Sequence, residues 1–474
     1  MDIDNQDIVN SQPRYEGLTG DKRLDRRAEK LWRSLSQKPC STISSISENR
    51  AEQVANYRLL ENEKLTEKGL VNELVSKVSL LVEDRDVLCI EDTCEVNVFK
   101  NKNRLKSNSG LGKSANSENF TCFKLHPGLV LDANSFHPLG FSDVKIFHHP
   151  QEMPDRLKRN YKKQPIEEKE SYKWIEVAQN SKKILSTAKR ITFIQDREGD
   201  IYEQFARIPE ENRHLLIRSR TTRKTSCGTD LYSLIDSTPT CGCYTVDIPT
   251  DNRKQQRKRT AQITLRYTSC NIKCPENLRK KGYPQEITIT CIGVQETTLG
   301  VEDPINWKLL TTHSVTSYEE ALKLVNWYGA RWYIEQVFRL LKKQGFGIEE
   351  AQLETGWAIR KLTLMQLSTL LRILQMNIAY NQPEEGQPIE EVFTKEEIQV
   401  LHQMNIKLQG KTKKSQNNNN TSKTKWAAWV IGRMGGWKGY DSLGPPGVIT
   451  MKKGLDRLAH ILEGIKLARD MCTG

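Results

Sequence analysis

The chain has 474 residues, enough for two or three domains and a large apolar core. Lysine and arginine total 72 against 59 aspartates and glutamates, a net charge of +13; this favours a polyanionic partner without telling DNA from RNA or an anionic membrane. No apolar run reaches the roughly 18 residues of a membrane helix, and the polar start Met1-Asp2-Ile3-Asp4-Asn5 is unlike a signal peptide, so a cytoplasmic protein with no membrane partner is expected.

Residues 1–72 read as a helical, basic domain. Asp21 is placed to cap a helix carrying Lys22, Arg23, Arg26, Arg27, Lys30 and Arg33, with Leu24, Ala28, Leu31 and Leu35 as its apolar stripe. Ser47 is expected to begin a second helix running through Tyr57-Arg58 to Asn62. Such basic faces are either solvated or aimed at phosphates.

Residues 73–375 read as an α/β domain. Val87-Leu88-Cys89-Ile90-Glu91-Asp92 and Ile191-Thr192-Phe193-Ile194-Gln195-Asp196 are short apolar runs rich in β-branched residues, each ending in an acid. Such runs are buried strands, and an acid at the strand's end sits at the rim where α/β sheets place their chemistry. The polar stretch 101–118 reads as a loop, 123–131 and 139–141 as returning strands, 155–170 as an exposed connection, and 173–188 as a helix. Leu215-Leu216-Ile217-Arg218 is another strand. From about 227 to 312 helical periodicity vanishes and strand-like runs alternate with basic turns, which predicts an all-β insertion. Ser317-x-x-Glu320 is a capping box for the next helix.

That helix carries Tyr328, Arg331, Glu335 and Lys342, at i, i+3, i+7 and i+14. On a continuous helix the four fall within about 60° of one face. One acid, two cations and a phenol in that stripe could hold a metal ion and a phosphodiester together, or be a solvated face. With Asp92 and Asp196, Glu335 completes three carboxylates, the oxygen donors that hard divalent cations prefer. Residues 376–474 are helical again. The stretch 411–425, with four successive asparagines, reads as a disordered loop. Leu455, Leu458, Leu462, Ile465 and Ala468 form a final apolar stripe.

Eleven cysteines are present. Cys89, Cys94 and Cys122 lie in the predicted strands and are expected to be buried thiols. Cys241, Cys243, Cys270 and Cys274 are four potential zinc ligands at an unusual spacing, or plain strand residues.

The chain resembles the bacterial DDE transposases of the insertion-sequence-four family, whose signature is Tyr-x2-Arg-x3-Glu-x6-Lys. Tyr328, Arg331, Glu335 and Lys342 match it without a gap. Asp196-Arg197-Glu198-Gly199-Asp200 is similar to the family's Asp-Arg-Glu-x-Asp box, and Ile90-Glu91-Asp92-Thr93 to its Ile-Glu-Asp-Thr box. Gly20-Asp21-Lys22-Arg23-Leu24 and Tyr57-Arg58-Leu59-Leu60-Glu61-Asn62 resemble its DNA-binding segment.

The resemblance implies a ribonuclease H-like catalytic domain with an all-β insertion, between helical N-terminal DNA-binding and helical C-terminal domains. It implies Asp92, Asp196 and Glu335 as catalytic ligands of two Mg²⁺ ions, with Mn²⁺ able to substitute. It casts Tyr328, Arg331, Lys342 and Arg218 as contacts to the cleaved DNA end. Trp307 falls where the family stacks a flipped base, against the plain reading of a core tryptophan. Arg331, one turn from Glu335, could instead pair with that acid. Arg23, Arg27 and Arg58 would contact double-stranded DNA. Cut-and-paste transposition through a hairpin, on transposon ends and target DNA at the nucleoid, would need a homodimer, which the last helix could join. A catalytically dead DNA-binding derivative and a structure-selective nuclease of the same fold are the alternatives.

Overall fold

The computed structural model describes residues 15–38, 40–98, 103–107, 109–114, 121–149, 164–248, 257–382, 386–412, 415–440 and 444–473. The N-terminal start, parts of the 101–118 loop, most of the 155–170 connection and most of the basic turn after residue 248 lie outside the described residues. The described strands are β1 Asp86–Glu91, β2 Cys94–Asn97, β3 Gly112–Lys113, β4 Thr121–Asp132, β5 Pro138–Phe147, β6 Arg190–Gln195, β7 Arg213–Arg218, β8 Gly242–Ile248, β9 Arg259–Lys273, β10 Glu286–Glu296 and β11 Asn306–Thr311. This is a mixed α/β protein of helices and extensive sheet.

The chain divides into two compact units, one of 1–83, 93–153 and 333–474, the other of 84–92 and 154–332. In the first, β4 pairs antiparallel with β2, β3 and β5. Its axis is the Gly356–Asn381 helix, most of whose residues are buried. Arg360 on that helix is 4% exposed and donates to Glu67 at 2.7 Å and to the carbonyls of Gly110 and Ile146. Lys361 gives its ammonium to the Leu60 and Asn62 carbonyls. Buried cations are tolerated because a carboxylate or carbonyls accept from them, with the His148 ring as a further partner of Arg360.

The N-terminal Lys22–Gln37 helix has Asp21 as its cap, accepting from the Arg23 amide at 2.9 Å, and buries Ala28, Leu31 and Leu35. The next long helix is Arg50–Glu61, and its cap is Asn49, not Ser47. The Asn49 side chain takes the Glu52 amide, while the Glu52 carboxylate accepts from the Glu48 amide, so the helix begins two residues later than expected. The asparagine run is ordered where described. Asn417 donates to the Trp426 carbonyl and Asn420 accepts from the Ser422 amide and hydroxyl, local bonds that asparagine makes readily. In the final Val448–Thr473 helix Leu458 is buried, but Leu467 and Met471 are 62% and 76% exposed.

In the second unit the strand order is β1-β6-β7-β11-β10-β9-β8. β1, β6 and β7 are parallel; β7–β11, β11–β10, β10–β9 and β9–β8 are antiparallel. The Tyr172–Ile184 helix stops short of residue 188, with the Leu185 amide closing on Ser181. Among the described residues, the stretch 227–312, expected to be all β, carries β8 to β11 together with the Leu231–Ser237 helix and the short 3₁₀ turn Arg279–Lys281.

The signature segment is not one helix. Tyr318–Gly329 ends in 3-residue spacings, the Ala330 amide on the Trp327 carbonyl and the Arg331 amide on Tyr328. A new helix runs Trp332–Arg339, and Leu340–Gln344 continues as a π-helical turn. Gly329, without a β-carbon, is a weak point for helix continuation. Ser317 caps the start by accepting from the Glu320 amide, but Glu320 reaches the Thr316 amide.

Candidate active site

The site grows from one register. Ile90 on β1 lies beside Ile194 on β6, parallel. Two residues further on, Asp92 and Asp196 therefore leave the same end of neighbouring strands, whose spacing is about 4.8 Å. Beneath them Glu91, fully buried, accepts from Gln195 at 3.0 Å and ties the two strand ends. β7 continues the rim: Gln195 lies beside Ile217, so Arg218 stands next in line. β11 runs antiparallel against β7 with Leu309 opposite Arg218, which brings the start of β11, and Trp307, to the same edge.

Each side chain is held by named partners. Asp196 caps the short Arg197–Gly199 turn, accepting from the Glu198 amide at 2.8 Å. Burial raises its acid pKa, and the Glu198 charge adds to this against the Arg331 and Lys173 cations. Lys173, 3% exposed, reaches Glu198 at 3.2 Å and Glu170 at 3.3 Å. Asp200, its side chain closed off from solvent, takes the Arg220 amide at 2.8 Å and the Arg223 guanidinium, and so anchors the chain after β7. Gly199 has no room for a side chain: a β-carbon there would lie 2.4 Å from Gln195 Oε1 and 2.8 Å from its Cβ.

Arg331 Nη1 donates to Asp92 Oδ2 at 2.6 Å. One acid partner of Arg331 is thus Asp92, the residue after β1. Arg218 is half-buried with its guanidinium 5.6 Å from the centre of the Trp307 ring. Burial, with the Arg197 and Arg331 charges, lowers its pKa. The Trp307 ring also meets Tyr328 edge-on, centroids 5.4 Å apart. Tyr328 is 5% exposed, and burial pushes its phenol up to about 12.

Asp92, Asp196, Arg218, Trp307, Tyr328 and Arg331 thus belong to one compact unit. Glu335 and Lys342 belong to the other, Glu335 half-buried and Lys342 with Nζ 3.7 Å from Glu349. So do the N-terminal arginines. Arg23 and Arg58 are exposed, whereas Arg27 is half-buried, 3.7 Å from Glu52. Among the described residues no three His, Cys, Asp or Glu side chains form a metal-holding group. Cys241 and Cys243 are exposed, Cys270 is half-buried and Cys274 buried.

The donor chemistry of the rim nevertheless fits a hard divalent cation. Asp196 is a carboxylate that burial penalises in its charged form, a penalty a bound cation would reverse. Sequence reasoning missed Lys173, which carries no signal beyond membership of a charged stretch. It also missed the Glu91–Gln195 tie, whose members directly precede the two acids and were legible from that position.

Two carboxylates at the carboxyl end of adjacent parallel strands, bordered by guanidinium groups and an aromatic ring, define an α/β protein built to handle a phosphate-bearing substrate. The family model described as transposase DDE domain matches residues 104–372, more than half of the chain, and that described as transposase DNA-binding matches residues 19–65. The chain belongs to the DDE transposases. The larger match takes in Asp196 and Glu335 but begins after Asp92. A solved piggyBac transposase synaptic complex with hairpin DNA is similar at a TM-score of 0.36 and 7% identity, over 96% of this chain and 84% of that one.

Proposed function

We propose that this DDE transposase is a bacterial cut-and-paste enzyme of the insertion-sequence-four type, with Asp92, Asp196 and Glu335 as its catalytic carboxylates. The observation that carries the reading is the register that delivers Asp92 and Asp196 to one rim, with Arg331, Arg218 and Trp307 beside them. Parallel β1, β6 and β7 support a ribonuclease H-like core. In this reading residues 1–72 bind DNA, 73–375 catalyse with an insertion at about 227–312, and 376–474 serve dimerisation.

Asp92, Asp196 and Glu335 would hold Mg²⁺, or Mn²⁺ in its place, as two ions that lower the charge barrier at phosphorus and favour a deprotonated attacking oxygen. Arg331 and Lys342 would hold the phosphate of the transposon end, with Tyr328 beside it. Arg218 would act at the cleaved end, and Trp307 would stack on an unpaired base. Water cuts one strand, freeing a 3′-hydroxyl. That hydroxyl attacks the opposite strand, breaks its phosphodiester and leaves a hairpin. Hairpin opening and attack on target DNA complete the cycle. Exposed Arg23 and Arg58, with Arg27, would grip end DNA. Leu467 and Met471 are available to a second copy in a homodimer, and the enzyme would act in the bacterial cytoplasm at the nucleoid.

The test is direct. Asp92→Asn, Asp196→Asn and Glu335→Gln are each expected to abolish metal-dependent cleavage of labelled end DNA while the gel-shift affinity survives. Full cleavage by any one of them removes that residue from the set.

A further inference from the structure

We propose that Arg331 occupies Asp92 as a stand-in cation and yields it only to the phosphate of bound DNA, so that metal loading at this acid waits for substrate. The proposal rests on the reading of Asp92 as a metal ligand. Its first support is the 2.6 Å contact between Arg331 Nη1 and Asp92 Oδ2, made by side chains only 23% and 17% exposed. A guanidinium at that distance takes part of the lone-pair capacity, and of the negative charge, that Asp92 would offer a divalent ion. The guanidinium stays charged at any physiological pH, so only a competing anion can draw it away.

The second support is the charge around the pair. Burial, then the Arg197 and Arg331 charges, depress the Arg218 pKa, and the Arg331 charge also reaches Asp196. A divalent cation entering alone would have to displace Arg331 from Asp92 and meet its charge close by. A phosphodiester entering with it would satisfy Arg331, release Asp92 and offset the added charge. Metal and DNA therefore favour each other at this site. Because such coupling is reciprocal, the metal must tighten DNA binding by the same factor that DNA tightens metal binding.

The experiment titrates Mn²⁺ into the full-length chain and reads free Mn²⁺ by its paramagnetic resonance signal. Without DNA the wild type should hold Mn²⁺ weakly at this site. A pre-cleaved duplex of the element's terminal inverted repeat should tighten it by about tenfold, within the usual range of coupling between sites, after subtraction of Mn²⁺ held by the duplex alone. Arg331→Gln should show a similar gain without any duplex, and Asp92→Asn added to it should erase that gain. Arg331→Lys keeps the charge without the planar fork and should fall between the two. Equal Mn²⁺ affinity of the wild type with and without duplex overturns the proposal, as does an Arg331→Gln chain no tighter than wild type. A different result tests the underlying reading: if Asp92→Asn leaves Mn²⁺ binding to the wild-type complex unchanged, Asp92 is not a ligand, and both fall together.

Discussion

Trp307 is half-buried, with the Arg218 guanidinium over its ring and the Tyr328 ring at its edge. It is neither a core tryptophan nor a free one, and the two readings of the sequence meet in this position. Trp307→Ala is expected to slow hairpin formation more than first-strand nicking. Base stacking on an aromatic ring contributes about 1–3 kcal/mol, so the hairpin step should fall roughly 5- to 150-fold. The melting temperature should drop only modestly, because the ring covers little else. Nicking, hairpin yield and thermal unfolding on one preparation decide it; equal loss of both steps with a large loss of stability would make it a packing residue. At this scale the sequence was most informative where chemistry is tied to a strand end. Asp92 and Asp196 were found because each closes an apolar run. The partner of Arg331 was not, because helical spacing knows only neighbours along the chain, and Asp92 lies far away in sequence.

Elements were legible where local rules decide them and illegible where tertiary bonds do. The Asp21 cap, the strands β4 to β7 and the β character of β8 to β11 follow from pattern and capping chemistry. The break at Ala330-Arg331 does not, since a single glycine at 329 is tolerated within many helices and marks no certain end. Nor does the edge-to-edge joining of β11 to β7, which aligns Trp307 with the acids and which no period in the sequence encodes. Beside the same joining lies a half-buried histidine pair. His313 stacks on His214 at 3.8 Å, its Nε2 is 2.9 Å from the Thr192 hydroxyl, and Trp327 lies edge-on to it. Burial, then His214 and the Arg190 and Lys323 cations, lower the His313 pKa from 6.5 to about 3. The unfolded chain therefore takes up a proton that the folded chain refuses. Stability from this source is intact above 6.5 and is lost as pH falls towards about 3. The melting temperature should drop between pH 7 and pH 5, and His313→Gln should flatten that slope; an unchanged slope would place the acid sensitivity elsewhere.

For the molecule as a whole, the excess of 13 positive charges is spread over many surfaces, and only some of its members are free to meet DNA. Arg58 is exposed on the Arg50–Glu61 helix, whereas Arg27 leans on Glu52, which lies in the first turn of the same helix and accepts from the Glu48 amide. Arg58→Ala should weaken binding to end DNA, lower the salt dependence of log affinity by about one, and leave thermal unfolding unchanged. Arg27→Ala should weaken binding and stability together. Unchanged affinity and salt slope for Arg58→Ala would move the recognition surface away from this helix. Domain organisation was the least legible feature in sequence. Composition marks where helices give way to strands, but the compact units are assembled from separated stretches, 84–92 with 154–332 and the rest together.

Gly199 carries a consequence for how this protein can change over generations. A β-carbon at that position collides with Gln195, and Gln195 is the residue that steadies Glu91 beneath both acids. Alanine at 199 therefore forces Gln195 to shift, since its Cβ as well as its amide is in the way, and a shifted amide lets go of Glu91 on the neighbouring strand. A change at 199 alone is therefore expected to leave the pair of carboxylates misaligned unless some other brace for Glu91 arises with it.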